Sequence, residues 1–209
     1  EAGPGGREYV AEGIREKAVL DDGGDRFRFY EAVSEVLPPK PMVAFFPAAS
    51  APPERYQAWI EHLVRRGHRL AFVQYGSLQR SSVPINRVPY RLKSLLRKFL
   101  EDERVAWRDD RPWVAAGHAE GALIAAQVAT VNPGGREWRV HPRGVCLFGP
   151  PDVLPEVERR REDLEGVLRG MPRDTWFVTV VSEGEVVPEA VDLLYALLDP
   201  RVTLGSRPT

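Results

Sequence analysis

Five residues near the middle of the chain, Gly117-His118-Ala119-Glu120-Gly121, set an imidazole and a carboxylate on either side of one central position, with a glycine at each end. A short apolar run from Trp113 to Ala116 leads into them, and a small-residue segment, Ala122 to Ala129, follows at once. The order reads as strand, tight turn and helix, the context in which the motif G-x-S-x-G exposes a serine. The flanking glycines matter because such a turn holds its central residue in a strained conformation with neighbouring backbone close by. The chemistry of that serine is acyl transfer. It attacks a carbonyl while a base takes its proton and backbone N–H groups hold the oxyanion. Here the central residue is Ala119, and a methyl group cannot attack a carbonyl.

Other chemistries are thinly represented. The histidines (His62, His68, His118, His141) show no metal-ligand spacing, and the lone Cys146 has no partner, so neither zinc nor another metal is expected. Cys146 lies in the apolar run Val145 to Phe148 and reads as a small buried hydrophobe. Gly3-Pro4-Gly5-Gly6 and Gly134-Gly135 lack the strand-to-helix context of a phosphate loop, and no cofactor is expected.

The elements that must position the turn are legible from hydrophobic periodicity. Phe27 and Phe29 alternate with Arg26 and Arg28, and Gly23-Gly24 separates this run from a preceding one, which predicts an N-terminal β-hairpin. Met42 to Phe46, His68 to Tyr75, Trp113 to Ala116, Arg143 to Phe148 and Thr175 to Val181 read as strands, with Arg201 to Leu204 beginning a last one. Between them, Pro53 to Arg66, Pro89 to Glu103, Leu123 to Val131, Leu154 to Leu168 and Pro188 to Leu198 carry helical patterns. Runs apolar throughout and separated by helices predict an α/β fold with a mainly parallel central sheet covered by helices on both faces.

With 209 residues, 43% hydrophobic and 28% charged, the chain predicts one soluble domain spanning 1–209, with a loose end at 1–6. A formal net charge of -1 argues against a nucleic-acid partner. No apolar run approaches the roughly 18 residues of a membrane span. The single cysteine leans toward a cytoplasmic setting. The start at Glu1 points to a trimmed or processed N-terminus.

The elbow and the order of elements resemble the α/β-hydrolase family over nearly the whole chain, the elbow being the one specific motif. The resemblance implies an esterase-like hydrolase or acyltransferase acting on a small acyl substrate, with Ala119 in the serine's place. That substitution fits both a Ser→Ala change made to trap substrate and a natural pseudo-enzyme, and a non-catalytic binding or scaffold protein is the alternative. The family's oxyanion donors fall on the N–H of Glu120 and on Ala48 or Ala49, in a loop that reads Phe46-Pro47-Ala48-Ala49-Ser50 where His-Gly is usual. The acid falls on Glu185, in Gly184-Glu185-Val186-Val187-Pro188, with Asp152 as runner-up. Each also reads as a residue beginning a helix. No base is found. The family's histidine follows the last strand and is expected beyond Thr209, while His118 is expected to point into the structure behind the elbow, and His62 and His68 to lie at the surface. The short segment after Phe148 implies a minimal lid, and Gly76 to Val88 is the expected ligand-lining loop.

Overall fold

The computed structural model describes residues 13–22, 25–33, 40–75, 88–101, 112–130, 142–149 and 175–180. Seven strands occur there: β1 (Ile14–Asp22), β2 (Asp25–Ala32), β3 (Met42–Phe46), β4 (Leu70–Tyr75), β5 (Trp113–His118), β6 (Gly144–Phe148) and β7 (Trp176–Val180). They form one sheet in the order β1-β2-β4-β3-β5-β6-β7. Three α-helices accompany them among the described residues: α1 (Gln57–Arg65), α2 (Val88–Leu100) and α3 (Glu120–Thr130).

The sheet is mixed, which corrects the expectation of a mainly parallel one. β2 runs antiparallel to both β1 and β4, whereas β4, β3, β5, β6 and β7 pair in parallel. The cause is written in the side-chain patterns. Only two residues separate β1 from β2, too few for the crossover a parallel pair requires. Alternating Arg and Phe in β2 suits a strand with one apolar and one polar face. On the polar face Arg28 reaches Glu16 at 3.1 Å and Arg26 reaches Asp21 at 2.7 Å across the hairpin. The runs of β3 and β4 are buried on both faces instead.

Successive residues of the sheet therefore feed two cores. On one side Phe27, Phe29, Met42, Ala44 and Phe46 pack with Leu92, Leu96 and Phe99 of α2 and the alanines of α3. On the other side Val43, Phe45, Leu70 and Phe72 pack with Ile60 and Val64 of α1. Helices cover both faces as expected. Phe45 is the hub of the second core, its ring 4.2 Å from that of Trp59 and 4.9 Å from that of Tyr56. The segment expected as one helix from Pro53 divides into a 3₁₀ turn, Pro53–Tyr56, followed by α1. Pro52 and Pro53 supply no N–H, and proline is at home only in a helix's first turn.

No helix among the described residues is long and apolar enough to cross a membrane. The helices expected at Leu154–Leu168 and Pro188–Leu198, the strand at Arg201–Leu204, the minimal lid and residues 76–87 of the expected ligand loop lie outside the described residues.

Lys93 of α2 is fully buried, and burial pushes its ammonium down to about 8. Between there and the unfolded lysine's value of about 10.4, the unfolded chain holds a proton that the folded chain lacks, so stability from this group rises with pH. Urea denaturation of wild type and Lys93→Met at pH 7.5 to 10.5 should show wild type gaining roughly 1–3 kcal/mol on the variant across that range. Parallel curves would mean that Lys93 stays charged in the fold.

Candidate functional site

β5 lies between β3 and β6, so its carboxyl end opens at the middle of the parallel strands. The chain then turns through one residue into α3. Ala119 takes φ 50, a left-handed conformation that costs a residue with a Cβ about 1–2 kcal/mol. Two hydrogen bonds pin it: its N–H donates to the Phe148 carbonyl at 2.9 Å, and its carbonyl accepts from the Ala122 N–H at 2.9 Å. The flanking glycines are required by close approach. A Cβ on Gly117 would run into the Gly121 carbonyl, and one on Gly121 into the carbonyl of Phe46 at the end of β3. Strand, turn, helix and the neighbouring strand thus meet backbone to backbone.

The loop leaving β3 crosses in front of this turn. The buried Tyr75 hydroxyl donates to the Pro47 carbonyl and holds the loop's start. A 3₁₀ turn, Ala48–Ser50, follows, with Ala49 at φ 42. Ala49 and Ala119 are the non-glycine residues with positive φ among those described, and strain of that kind gathers at functional sites. The two loop amides are both engaged by side chains. The Ala48 N–H donates to the Tyr56 hydroxyl oxygen at 2.9 Å, and the Ala49 N–H donates to a carboxylate oxygen of Glu120 at 3.2 Å.

Tyr56 in turn lies 2.9 Å from Nδ1 of His118. Burial keeps the Tyr56 hydroxyl above its ordinary pKa, the Ala48 N–H opposing and the charge of Glu120 reinforcing that shift. The phenol is therefore protonated at neutral pH. Its oxygen accepts from Ala48, and the direction of its bond with His118 follows the tautomer of the imidazole.

This arrangement of sheet and helices has counterparts among solved structures. Apo esterase 2 of Thermogutta terrifontis aligns with a TM-score of 0.58 at 18% identity, over 88% of this chain and 77% of that one. The butyrate-bound form of that esterase aligns at 0.55 and 16% identity over the same shares. Esterase B of Lactobacillus rhamnosis aligns at 0.55 and 15% identity, over 78% of this chain and 59% of that one. No protein-family model and no curated protein sequence matches the chain. The chain shares its fold with these esterases.

Within this fold Ala48, Ala49, Ala119 and Glu120 lie at one end of the sheet. Glu185 and Asp152, the expected acids, lie outside the described residues, as does His141. His118 departs from expectation. It was expected behind the elbow, yet it is exposed beside Tyr56, because it is the last residue of β5 and emerges past the strand's packed portion. His62 is exposed on α1, whereas His68 is half-buried with Nδ1 2.9 Å from the Pro41 carbonyl. Cys146 is half-buried rather than buried, and burial raises its thiol's pKa. Among the described residues no group of His, Cys, Asp and Glu is placed to hold a metal.

Sequence reasoning missed Tyr56. It sits in the segment read as a helix, where periodicity reports only its apolar ring, which is tilted against Phe72 at 5.7 Å. Its polar end is the part that matters.

The turn's strain yields a stability test. At an ordinary helix position Ala→Gly costs about 1 kcal/mol. At Ala119, glycine removes the left-handed penalty, and Ala119→Gly should be neutral or stabilising by up to about 1 kcal/mol. Gly121→Ala should cost roughly 3 kcal/mol or more, since backbone rather than a side chain blocks the methyl. Chemical denaturation decides both, and a destabilised Ala119→Gly would contradict the strained turn.

Proposed function

We propose that this chain is an esterase-type hydrolase domain whose covalent step is silent at Ala119 and which retains a site for a small acyl ligand. The observation that carries the reading is the turn itself. Ala119 keeps a left-handed conformation and both close-packed glycines, the apparatus that presents a nucleophile, yet it presents a methyl group. In this reading the N–H of Glu120 and the loop amides of Ala48 and Ala49 stand where an oxyanion would be held. Glu185, with Asp152 as runner-up, is the acid by chain order. The Thermogutta terrifontis esterase has been solved with butyrate and with propionate, and a short acyl chain of that class is the ligand proposed for this protein.

The alternative is a binding or scaffold protein that uses the fold without turnover. One observation favours it. Both loop amides already carry partners from within the chain, so the site is not poised for a developing oxyanion.

Loss of the serine from a serine hydrolase lowers turnover about a million-fold, roughly 8 kcal/mol of barrier. The chain should therefore hydrolyse short acyl esters no faster than buffer and take no label from a fluorophosphonate. Ala119→Ser should fold, since only the side chain's terminal oxygen is added, and should label slowly because the His118 ring is already engaged by the Tyr56 hydroxyl. Mass spectrometry after timed exposure reads both proteins. Label on the unmodified chain would refute the silent elbow, and fast labelling of Ala119→Ser would show a described histidine acting as base.

A further inference from the structure

Glu31 is a single carboxylate surrounded by three cations. It stands near the carboxyl end of β2, with its side chain only 8% exposed. Arg15 lies directly opposite in β1 and gives both Nε, at 2.8 Å, and Nη2 to one oxygen, Oε1. Lys17 brings Nζ to 3.3 Å from that same oxygen. The hairpin's register slips between Glu16 and Ala18, so Lys17 is a bulge residue outside the ladder, and bulges re-aim side chains. Arg69 precedes Leu70, the partner of Tyr30, and so approaches from β4's side, its Nε 3.8 Å from Oε2.

This group holds more donors and more charge than Glu31 can use. A carboxylate oxygen has about two lone-pair sites, yet three nitrogens crowd Oε1. Arg69 meanwhile stops short of hydrogen-bond distance to Oε2. Elsewhere among the described ion pairs the balance runs the other way. Arg26 meets Asp21, Arg28 meets Glu16 and Arg97 meets Glu101, one to one, while Arg91 meets two acids, Asp22 and Asp25. Here three cations share one acid, and among the described residues no second carboxylate stands at ion-pair distance from them. Holding them together costs mutual repulsion that Glu31 alone leaves uncancelled. All three reach solvent, Arg15 at 53% exposure, Lys17 at 28% and Arg69 at 19%, so their nitrogens rim a buried acidic floor.

We propose that Arg15, Lys17 and Arg69 form a binding site for a phosphate group, with Glu31 as the floor that gathers the three cations. A phosphate dianion matches the excess charge, and its oxygens suit the forked guanidinium donors and the ammonium together. The neighbouring charges do not compete for the rim: Glu16 is held by Arg28, and the His68 ring is turned to the Pro41 carbonyl. The site lies at the amino end of β4, whereas the elbow opens at the carboxyl end of β5, so it stands apart from the acyl-ligand reading.

The test titrates sodium phosphate into the protein at fixed ionic strength and follows amide and arginine Nε resonances. Arg15, Lys17, Glu31 and Arg69 should shift saturably, while Arg26, already paired with Asp21, should not. Arg69→Gln should weaken binding at least about tenfold, and Arg69→Lys, which keeps the charge without the fork, should weaken it less. Glu31→Gln removes the repelling charge and should tighten binding severalfold, the opposite of what a purely structural ion cluster predicts. Affinity should fall as pH drops through phosphate's second ionisation, at about 6. Methyl phosphate binding as well as inorganic phosphate would identify an ester as the ligand, and binding confined to inorganic phosphate the free ion. Either keeps the site. Absence of a saturable shift in wild type, or equal affinity in wild type and Arg69→Gln, would overturn it, as would weaker binding in folded Glu31→Gln. Arg69→Gln leaves the Arg15–Glu31 pair in place, so the site is tested even where Glu31→Gln fails to fold.

Discussion

Everything at the carboxyl end of this sheet depends on a backbone crossing that tolerates no side chain. Gly117 closes β5, Gly121 opens α3, and the Phe46 carbonyl ends β3, and each stands where a Cβ on its neighbour would have to be. The crossing lets α3 rest directly on the sheet, with Ala122, Ala125, Ala126 and Ala129 fully buried beneath it. It also fixes where Ala119 must sit, since a chain that reverses from strand to helix within one residue has only the left-handed region available for that residue. The bond from Ala119 to the Phe148 carbonyl ties β6 to the same point. Three strands and a helix are referenced to one peptide.

Strain is shared between this turn and the loop after β3. Both Ala49 and Ala119 hold conformations that glycine would adopt at less cost, and the contact of the Ala49 N–H with Glu120 joins the two segments. A fold under no functional constraint relaxes such positions or fills them with glycine. Here the strained turn carries a methyl group at its centre. That combination is why the esterase-like fold and the absence of an oxygen at position 119 have to be weighed together.

The sequence made the frame readable and the polar contacts invisible, for one physical reason. Periodicity reports burial, and burial is what the strands from Met42 to Phe46 and Leu70 to Tyr75 and the helices over Gln57–Arg65 and Val88–Leu100 are about. The Gly-flanked turn was legible because close backbone approach demands glycine at fixed offsets. The antiparallel pairing of β2 with β4 was not, because a strand's alternation says which face is buried but not which neighbour it lies against. Tyr56 and His118 were misread on the same account. Tyr56 has an apolar ring and a polar tip, and periodicity scores only the ring. His118 is one residue past the buried part of β5, where a shift of a single position reverses the side chain's direction. The acids at Glu185 and Asp152 rest on chain order alone, outside the described residues.

The contacts around the elbow form a chain rather than a set of independent parts. Ala48 donates to the Tyr56 hydroxyl, that hydroxyl lies 2.9 Å from Nδ1 of His118, and Ala49 donates to Glu120. Tyr56 is also the edge of the second core, its ring against Phe45 and Phe72, so the imidazole is oriented by a residue that packing holds in place. Catalytic groups that act as a unit lose most of their joint effect when any one is missing. The converse applies to regaining it. An oxygen at position 119 would meet an imidazole whose Nδ1 is already engaged by the Tyr56 hydroxyl and an amide already facing a carboxylate. More than the Ala119 methyl therefore separates this turn from one that carries a serine: the Ala48 and Ala49 amides and the His118 ring each hold a partner that a reacting group would have to displace.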